Sequence, residues 1–218
     1  MITKNRQAWR VYAHGLLLGA ILALSTGASA DDELPYYNSA EFTPHWLGGD
    51  SDALSDFHRI PAFEFTNQNG ESVSQNDTDQ KVYVASFFFS TCPGICPKLK
   101  SKLQSVQTAF LDDDNVLILS HSIRPSTDTP EILQQYAQDN GVVSGKWHLL
   151  TGEQQVIYEL ARSAYFANED LGTLQDQADF LHTENLLLID QDRRIRGVYN
   201  GLSSTSVAHL VADIRRLL

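Results

Sequence analysis

Apolar and polar positions alternate along the chain in blocks whose periods change from strand-like to helix-like. Ile60, Phe63 and Phe65 alternate with polar residues ahead of Asn69-Gly70, and a second short run follows, which predicts a β-hairpin. Residues 81–89 (KVYVASFFF) are apolar enough to form a strand buried on both faces. From Pro97 to about Leu111 the apolar positions Leu99, Leu103, Val106 and Phe110 fall at helical spacing. A second core strand is predicted over 115–123 (NVLILSHSI), and Thr129-Pro130-Glu131 then opens a helix. Thr serves as N-cap, Pro fits the first turn, and the acid lies at the positive end of the helix dipole. That helix ends near Gly141, a short strand covers Trp147 to Leu150, and a further helix covers Glu153 to Tyr165. Residues 166–181 are polar and irregular and read as an insertion or an exposed hairpin. Leu186–Asp190 and Ile195–Tyr199 form the last strands about a turn at Gln191-Asp192. A closing helix presents Val207, Leu210, Val211, Ile214 and Leu217 on one face.

Strand and helix alternating three times, then two antiparallel strands and a final helix, is the order of an α/β sandwich of thioredoxin type, here with an N-terminal β-hairpin over 60–218. Residues 31–59 lack periodicity but carry many aromatics, as an extended arm docked on the body would, with the stretch 48–56 reading as loose. Residues 1–30 read as a cleavable signal peptide. Lys4, Arg6 and Arg10 form its charged region, Gly15 to Leu24 its apolar region, and Ala28-Ser29-Ala30 its cleavage site. The apolar stretch falls short of a membrane span, so export to the periplasm with no stable span after cleavage is expected, the alternative being a membrane anchor if the segment stays uncleaved. The whole chain carries a net charge of −11, and losing three cations deepens it. Such a surface repels nucleic acid and favours cations or basic proteins.

The chain's two cysteines lie together in FFFSTCPGICP, where a buried strand hands over to a helix. Cys92 and Cys96 thus sit at the carboxyl edge of the sheet, where open α/β sheets bind ligands. Free helical N–H groups and the nearby Lys98 and Lys100 would allow both sulfurs to ionise near neutral pH. Three residues between the thiols permit a disulfide and also let two thiolates converge on one soft ion such as Cu(I). Accepting Cu(II) as well would want an added imidazole. A purely structural bridge would close too short a loop to stabilise much. A peroxidase reading lacks the proline that should precede Thr91.

Of seven histidines, His45, His58, His148 and His209 fall in aromatic or amphipathic contexts and read as core-edge or surface residues. His121 lies inside a predicted strand and reads as structural. His182 stands just before the strand Leu186–Asp190, on a loop at the same sheet edge as the cysteines, and is the candidate third ligand.

These motifs together resemble the Sco (SenC/PrrC) family, exported thioredoxin-fold copper proteins that help assemble the CuA centre of cytochrome c oxidase. The likeness lies in FFFSTCPGICP, in SIRPSTDTPEILQQYA and in HTENLLLIDQDRRIRGVY, and spans residues 31–218. It implies copper, as Cu(I) and also Cu(II), held by Cys92, Cys96 and His182. It also implies an apo-oxidase subunit or another copper or thiol protein as partner, and a dedicated periplasmic reductant. The expected function is a copper metallochaperone rather than an ordinary enzyme. The alternative is a periplasmic thiol–disulfide oxidoreductase in which Cys92 and Cys96 are the catalytic pair. Thioredoxin-like reductases place a cis-proline beside the cysteines, whereas this chain has no proline after Pro130, which favours metal. Two residues depart from the family's pattern: Arg124 replaces an Asp, and Leu181 replaces the acid before the ligand His. A guanidinium there would disfavour added positive charge and stabilise thiolate.

Overall fold

The computed structural model describes Met1, residues 33–167 and residues 184–218. A two-stranded antiparallel hairpin, β1 (Glu64–Thr66) and β2 (Ser72–Ser74), precedes the main sheet. Gly70 adopts φ +76 in its turn, where a side chain would be strained. The main sheet contains β3 (Val82–Phe88), β4 (Val116–Ser122), β5 (Trp147–Leu150), β6 (Asn185–Ile189) and β7 (Ile195–Asn200), in the order β5-β4-β3-β6-β7. β3, β4 and β5 run parallel, while β6 and β7 are antiparallel to their neighbours. The helices are α1 (Cys96–Ala109), α2 (Pro130–Asp139), α3 (Gln154–Ser163) and α4 (Ser204–Leu217). This is the expected mixed α/β architecture, and predicted bounds differ from observed ones by one or two residues.

β3 occupies the middle of the sheet, so all seven of its residues are buried. Its two faces meet different layers. Phe88 packs against Tyr136 of α2, and Ser86 and Phe88 share a small cavity with Leu99 and Leu103 of α1. The opposite face carries Tyr83 and Phe87 against Tyr165, just beyond α3. Polar atoms inside the first layer are paired: Ser86 and Ser120 hydroxyls meet at 2.8 Å, and Trp147 Nε1 donates to Ser120 Oγ at 2.9 Å. α2 starts as predicted, with the Thr129 hydroxyl accepting from Ile132 N–H.

The arm covers the edge that β7 would otherwise expose. Tyr37 N–H donates to Ile195 C=O at 3.1 Å, and Ile60 N–H to Arg193 C=O at 2.8 Å. Arg196 is buried and fastens the arm from below. Its guanidinium donates to the Pro35 and Leu34 carbonyls, pairs with Asp190 at 3.1 Å and lies 3.8 Å from the Tyr36 ring centroid. Residues 48–56, expected to be loose, are docked: Leu54 is buried in a 3-10 turn (Asp52–Leu54), and its carbonyl accepts from Arg194 Nη2 at 2.8 Å. The residues read as a signal peptide and most of the 166–181 insertion lie outside the described residues. No described helix is long and apolar enough to cross a membrane.

Candidate metal centre

β3 ends at Phe88, and the chain turns through residues 90–95 before α1 begins at Cys96. One buried carboxylate fixes this turn. Asp128 accepts from Ser90 N–H at 3.2 Å, from Ser90 Oγ at 2.5 Å and from Ser122 Oγ at 2.5 Å. Asp128 N–H in turn donates to Arg124 C=O, and Arg124 N–H donates to Ser122 Oγ at 3.1 Å. The loop after β3 and the loop after β4 are therefore held by a single group. Hydrogen bonds to a buried charge are the stronger kind, so this knot is stiff.

Cys92 and Cys96 lie together at this turn. Both are free thiols and both are buried. Their environments differ. Burial works against a Cys92 thiolate, but a hydrogen bond from Cys96 and the N–H groups of Cys96, Gly94 and Ile95 together hold Cys92 below the usual thiol range. No side chain caps α1, so the Cys92 sulfur takes that place at the helix N-terminus. Burial and donation to Cys92 push the Cys96 thiol far up, despite an N–H from Phe89. Against the expectation that both sulfurs ionise near neutral pH, the two are unequal: Cys92 is held down and ionises ahead of Cys96, which is held up. The lysine expectation changes too, because Lys100 donates to Asn140 Oδ1 instead and Lys98 is exposed.

Cys92 opens onto a cavity of about 660 Å³ lined by Phe89, Thr91, Pro93, Gly94, Ile95, Arg124 and Glu184. Arg124 lies over the Phe89 ring, 4.1 Å from its centroid. Glu184 accepts from Asn200 Nδ2, and its carbonyl accepts from Gly201 N–H at 2.8 Å. On the other side of Cys96, a cavity of about 10 Å³ separates it from Tyr136. Burial above all raises the Tyr136 phenol to about 12.

His182 and Leu181 lie outside the described residues. The chain re-emerges at Glu184 on the wall of the Cys92 cavity. Among the described residues no three His, Cys, Asp or Glu side chains are grouped to hold a metal. Two sulfurs four positions apart, hydrogen-bonded to each other beside an open cavity, nevertheless form a soft donor pair of the kind copper takes. The other histidines are elsewhere. His58 Nε2 meets Ala164 C=O at 2.8 Å, His148 meets Asn67, His45 packs on Phe57, and His209 is exposed. His121 is fully buried among Phe63, Phe65, Phe87 and Tyr165, with neither ring nitrogen hydrogen-bonded. Sequence reasoning missed the part played by Asp128. Asp128 falls in the family-like SIRPSTDTPEILQQYA segment, but nothing in that segment points to Ser90 and Ser122 as its partners. Glu184 was also missed.

The family described as SCO1/SenC matches residues 51–218. The crystal structure of a SCO1/SenC family lipoprotein from Bacillus anthracis is 28% identical with a TM-score of 0.65, covering 73% of this chain and 95% of that one. BsSco, a member of the Sco family of cytochrome c oxidase assembly proteins in which a disulfide switch was identified, is 25% identical with a TM-score of 0.62, over 72% and 92%. Bradyrhizobium japonicum ScoI with copper bound shares the fold at 24% identity and a TM-score of 0.58, over 73% and 99%. With the family matched along most of its length, on a thioredoxin-like sheet whose cysteine pair stands at the expected edge, the chain belongs to the SCO1/SenC family.

Proposed function

We propose that the protein is an exported copper carrier that serves assembly of the CuA centre of a respiratory oxidase. The observation that carries this reading is the pair of free, mutually hydrogen-bonded thiols beside an open cavity at the end of β3. Cys92 and Cys96 would hold the copper, with His182 as third ligand. Thiolate donors select soft Cu(I), and an imidazole extends the site toward Cu(II). Binding would displace the Cys96 proton, so uptake should release protons and weaken as pH falls. The poised Cys92 provides the first point of attachment. Ligand exchange with the thiols of an apo-oxidase subunit, or of another copper or thiol protein, would then pass the ion on. Export by residues 1–30 would put this exchange in the periplasm, with a dedicated reductant keeping the pair as thiols.

A second reading, thiol–disulfide exchange, is favoured by the inequality of the two thiols. The Cys92 thiolate would attack a target disulfide, forming a mixed disulfide and releasing one target thiolate. Cys96, losing its proton, would then attack the Cys92 sulfur and free the second target thiolate. The target gains two electrons, the chain is left with a Cys92–Cys96 disulfide, and the reductant restores the dithiol.

The experiment is an anaerobic Cu(I) titration of the reduced protein against a chromophoric chelator. One equivalent should bind, Cys92→Ser or Cys96→Ser should abolish uptake, and His182→Ala should weaken it by at least ~10-fold. Uptake indifferent to His182 removes it from the ligand set. No uptake in the wild type leaves only the exchange reading.

A further inference from the structure

Arg124 is placed to do something the copper-and-thiol reading does not use. Its backbone is pinned: N–H donates to Ser122 Oγ, and C=O accepts from the N–H groups of Thr127 and Asp128. Its side chain lies on the Phe89 ring and forms part of the wall of the cavity onto which Cys92 opens. No carboxylate pairs with it among the described residues. Stacking on an aromatic ring holds a guanidinium in place without cancelling its charge. The one acid on the same wall, Glu184, is hydrogen-bonded to Asn200 and does not reach ion-pair distance of Arg124. Among the described residues the cavity thus carries, on the wall onto which Cys92 opens, a ring-stacked cation with no ion-pair partner.

We propose that Arg124 sets the charge selectivity of this cavity, favouring Cu(I) over Cu(II) at the cysteines and anionic over cationic disulfides at Cys92. The metal half rests on the copper reading; the thiol half rests on the residues alone. Two thiolates around Cu(I) leave a complex of charge −1, whereas the same two around Cu(II) leave 0. A neighbouring positive charge stabilises the first relative to the second. For the metal-free protein, the Cys92 thiolate attacks one sulfur of a disulfide RSSR, yielding Cys92–S–SR and RS⁻. Electrons move only among the sulfurs, and a cation on the cavity wall attracts an anionic RSSR and repels a cationic one. Across a partly solvated cavity one unit charge shifts such balances by roughly tenfold.

Two measurements test the assignment. In the first, Cu(I) and Cu(II) affinities are obtained by chelator competition for the wild type and its variants. Arg124→Gln should lower the Cu(I)-to-Cu(II) affinity ratio about 10-fold and Arg124→Asp about 100-fold. Arg124→Lys, which keeps the charge, should stay within about threefold of wild type. In the second, the reduced metal-free protein reacts with a dicarboxylate aromatic disulfide and, separately, with cystamine. At a fixed pH the thiolate fraction cancels in the ratio of the two rates. That ratio should fall about fivefold or more in Arg124→Gln and rise in Glu184→Gln. A wild type that binds neither copper ion, with a rate ratio that still follows Arg124, rejects the copper reading and upholds the charge assignment for thiols. A wild type that binds both ions, with affinity and rate ratios unmoved by Arg124→Gln, upholds the copper reading and overturns the assignment.

Discussion

Arg196 and Arg124 each stack a guanidinium on an aromatic ring, at 3.8 Å from Tyr36 and 4.1 Å from Phe89. What surrounds the two stacks differs. Arg196 is buried, paired with Asp190 and hydrogen-bonded to two carbonyls of the arm, so its charge is consumed by holding residues 34–36 on β7. Arg124 meets no carboxylate among the described residues and borders the Cys92 cavity. The same side chain is structural where each guanidinium nitrogen has a partner and electrostatic where no described acid pairs with it. Removing the first should therefore damage the fold, and removing the second should damage only the chemistry.

The largest effect is expected at Arg196. Arg196→Met leaves Asp190 buried without its cation, and breaking one side of a buried pair costs about 3–5 kcal/mol. Urea unfolding should show this loss, together with faster proteolysis ahead of Ile60. A change under about 1 kcal/mol would mean that the arm does not depend on the pair. Next comes Asp128→Asn, which weakens the acceptor shared by Ser90 and Ser122 and should cost about 2 kcal/mol. It should also speed Cys92 alkylation as the loop loosens. Unchanged alkylation at reduced stability would separate the knot from the site.

His121 tests the opposite sign. Burial holds its imidazole down to about 3 and leaves both nitrogens unsatisfied, so His121→Phe should stabilise by about 1–2 kcal/mol at neutral pH. A depressed histidine contributes stability above its unfolded value near 6.5, and that contribution is lost as pH falls toward the folded value. Wild-type stability should thus drop below about pH 6.5 by up to ~1.4 kcal/mol per pH unit from this group. The variant should lack that part of the slope; an identical slope would show that His121 is not buried neutral. Smallest of all is Arg124→Gln, which should move stability by no more than about 0.5–1 kcal/mol, the worth of a partly exposed cation–π contact.

The sheet was readable because its signals are local. The run VYVASFF is short, apolar and rich in β-branched and aromatic residues, which reads as a fully buried strand, and Thr129-Pro130 announces a helix without reference to anything distant. The docking of 48–56 was not readable, since Leu54 is its one buried side chain and its captor, Arg194, arrives from 140 positions away. The dithiol could be found from spacing, but its asymmetry could not. Cys92 and Cys96 are the same residue type in one motif, and only the packing decides which sulfur receives the helical N–H groups. Lys100 shows the matching error for charge: nearness in sequence suggested the cysteines, while its ammonium reaches Asn140 and the cation on the cavity wall comes from β4's loop.

X-ray absorption at the copper edge of the Cu(I)-loaded protein decides whether Cys92, Cys96 and His182 hold the ion. Two sulfur scatterers at Cu–S distances and one nitrogen scatterer should appear, with the nitrogen lost in His182→Ala and a sulfur lost in Cys92→Ser. A first shell of nitrogen and oxygen alone, or a sulfur count untouched by Cys92→Ser, would contradict that ligand set.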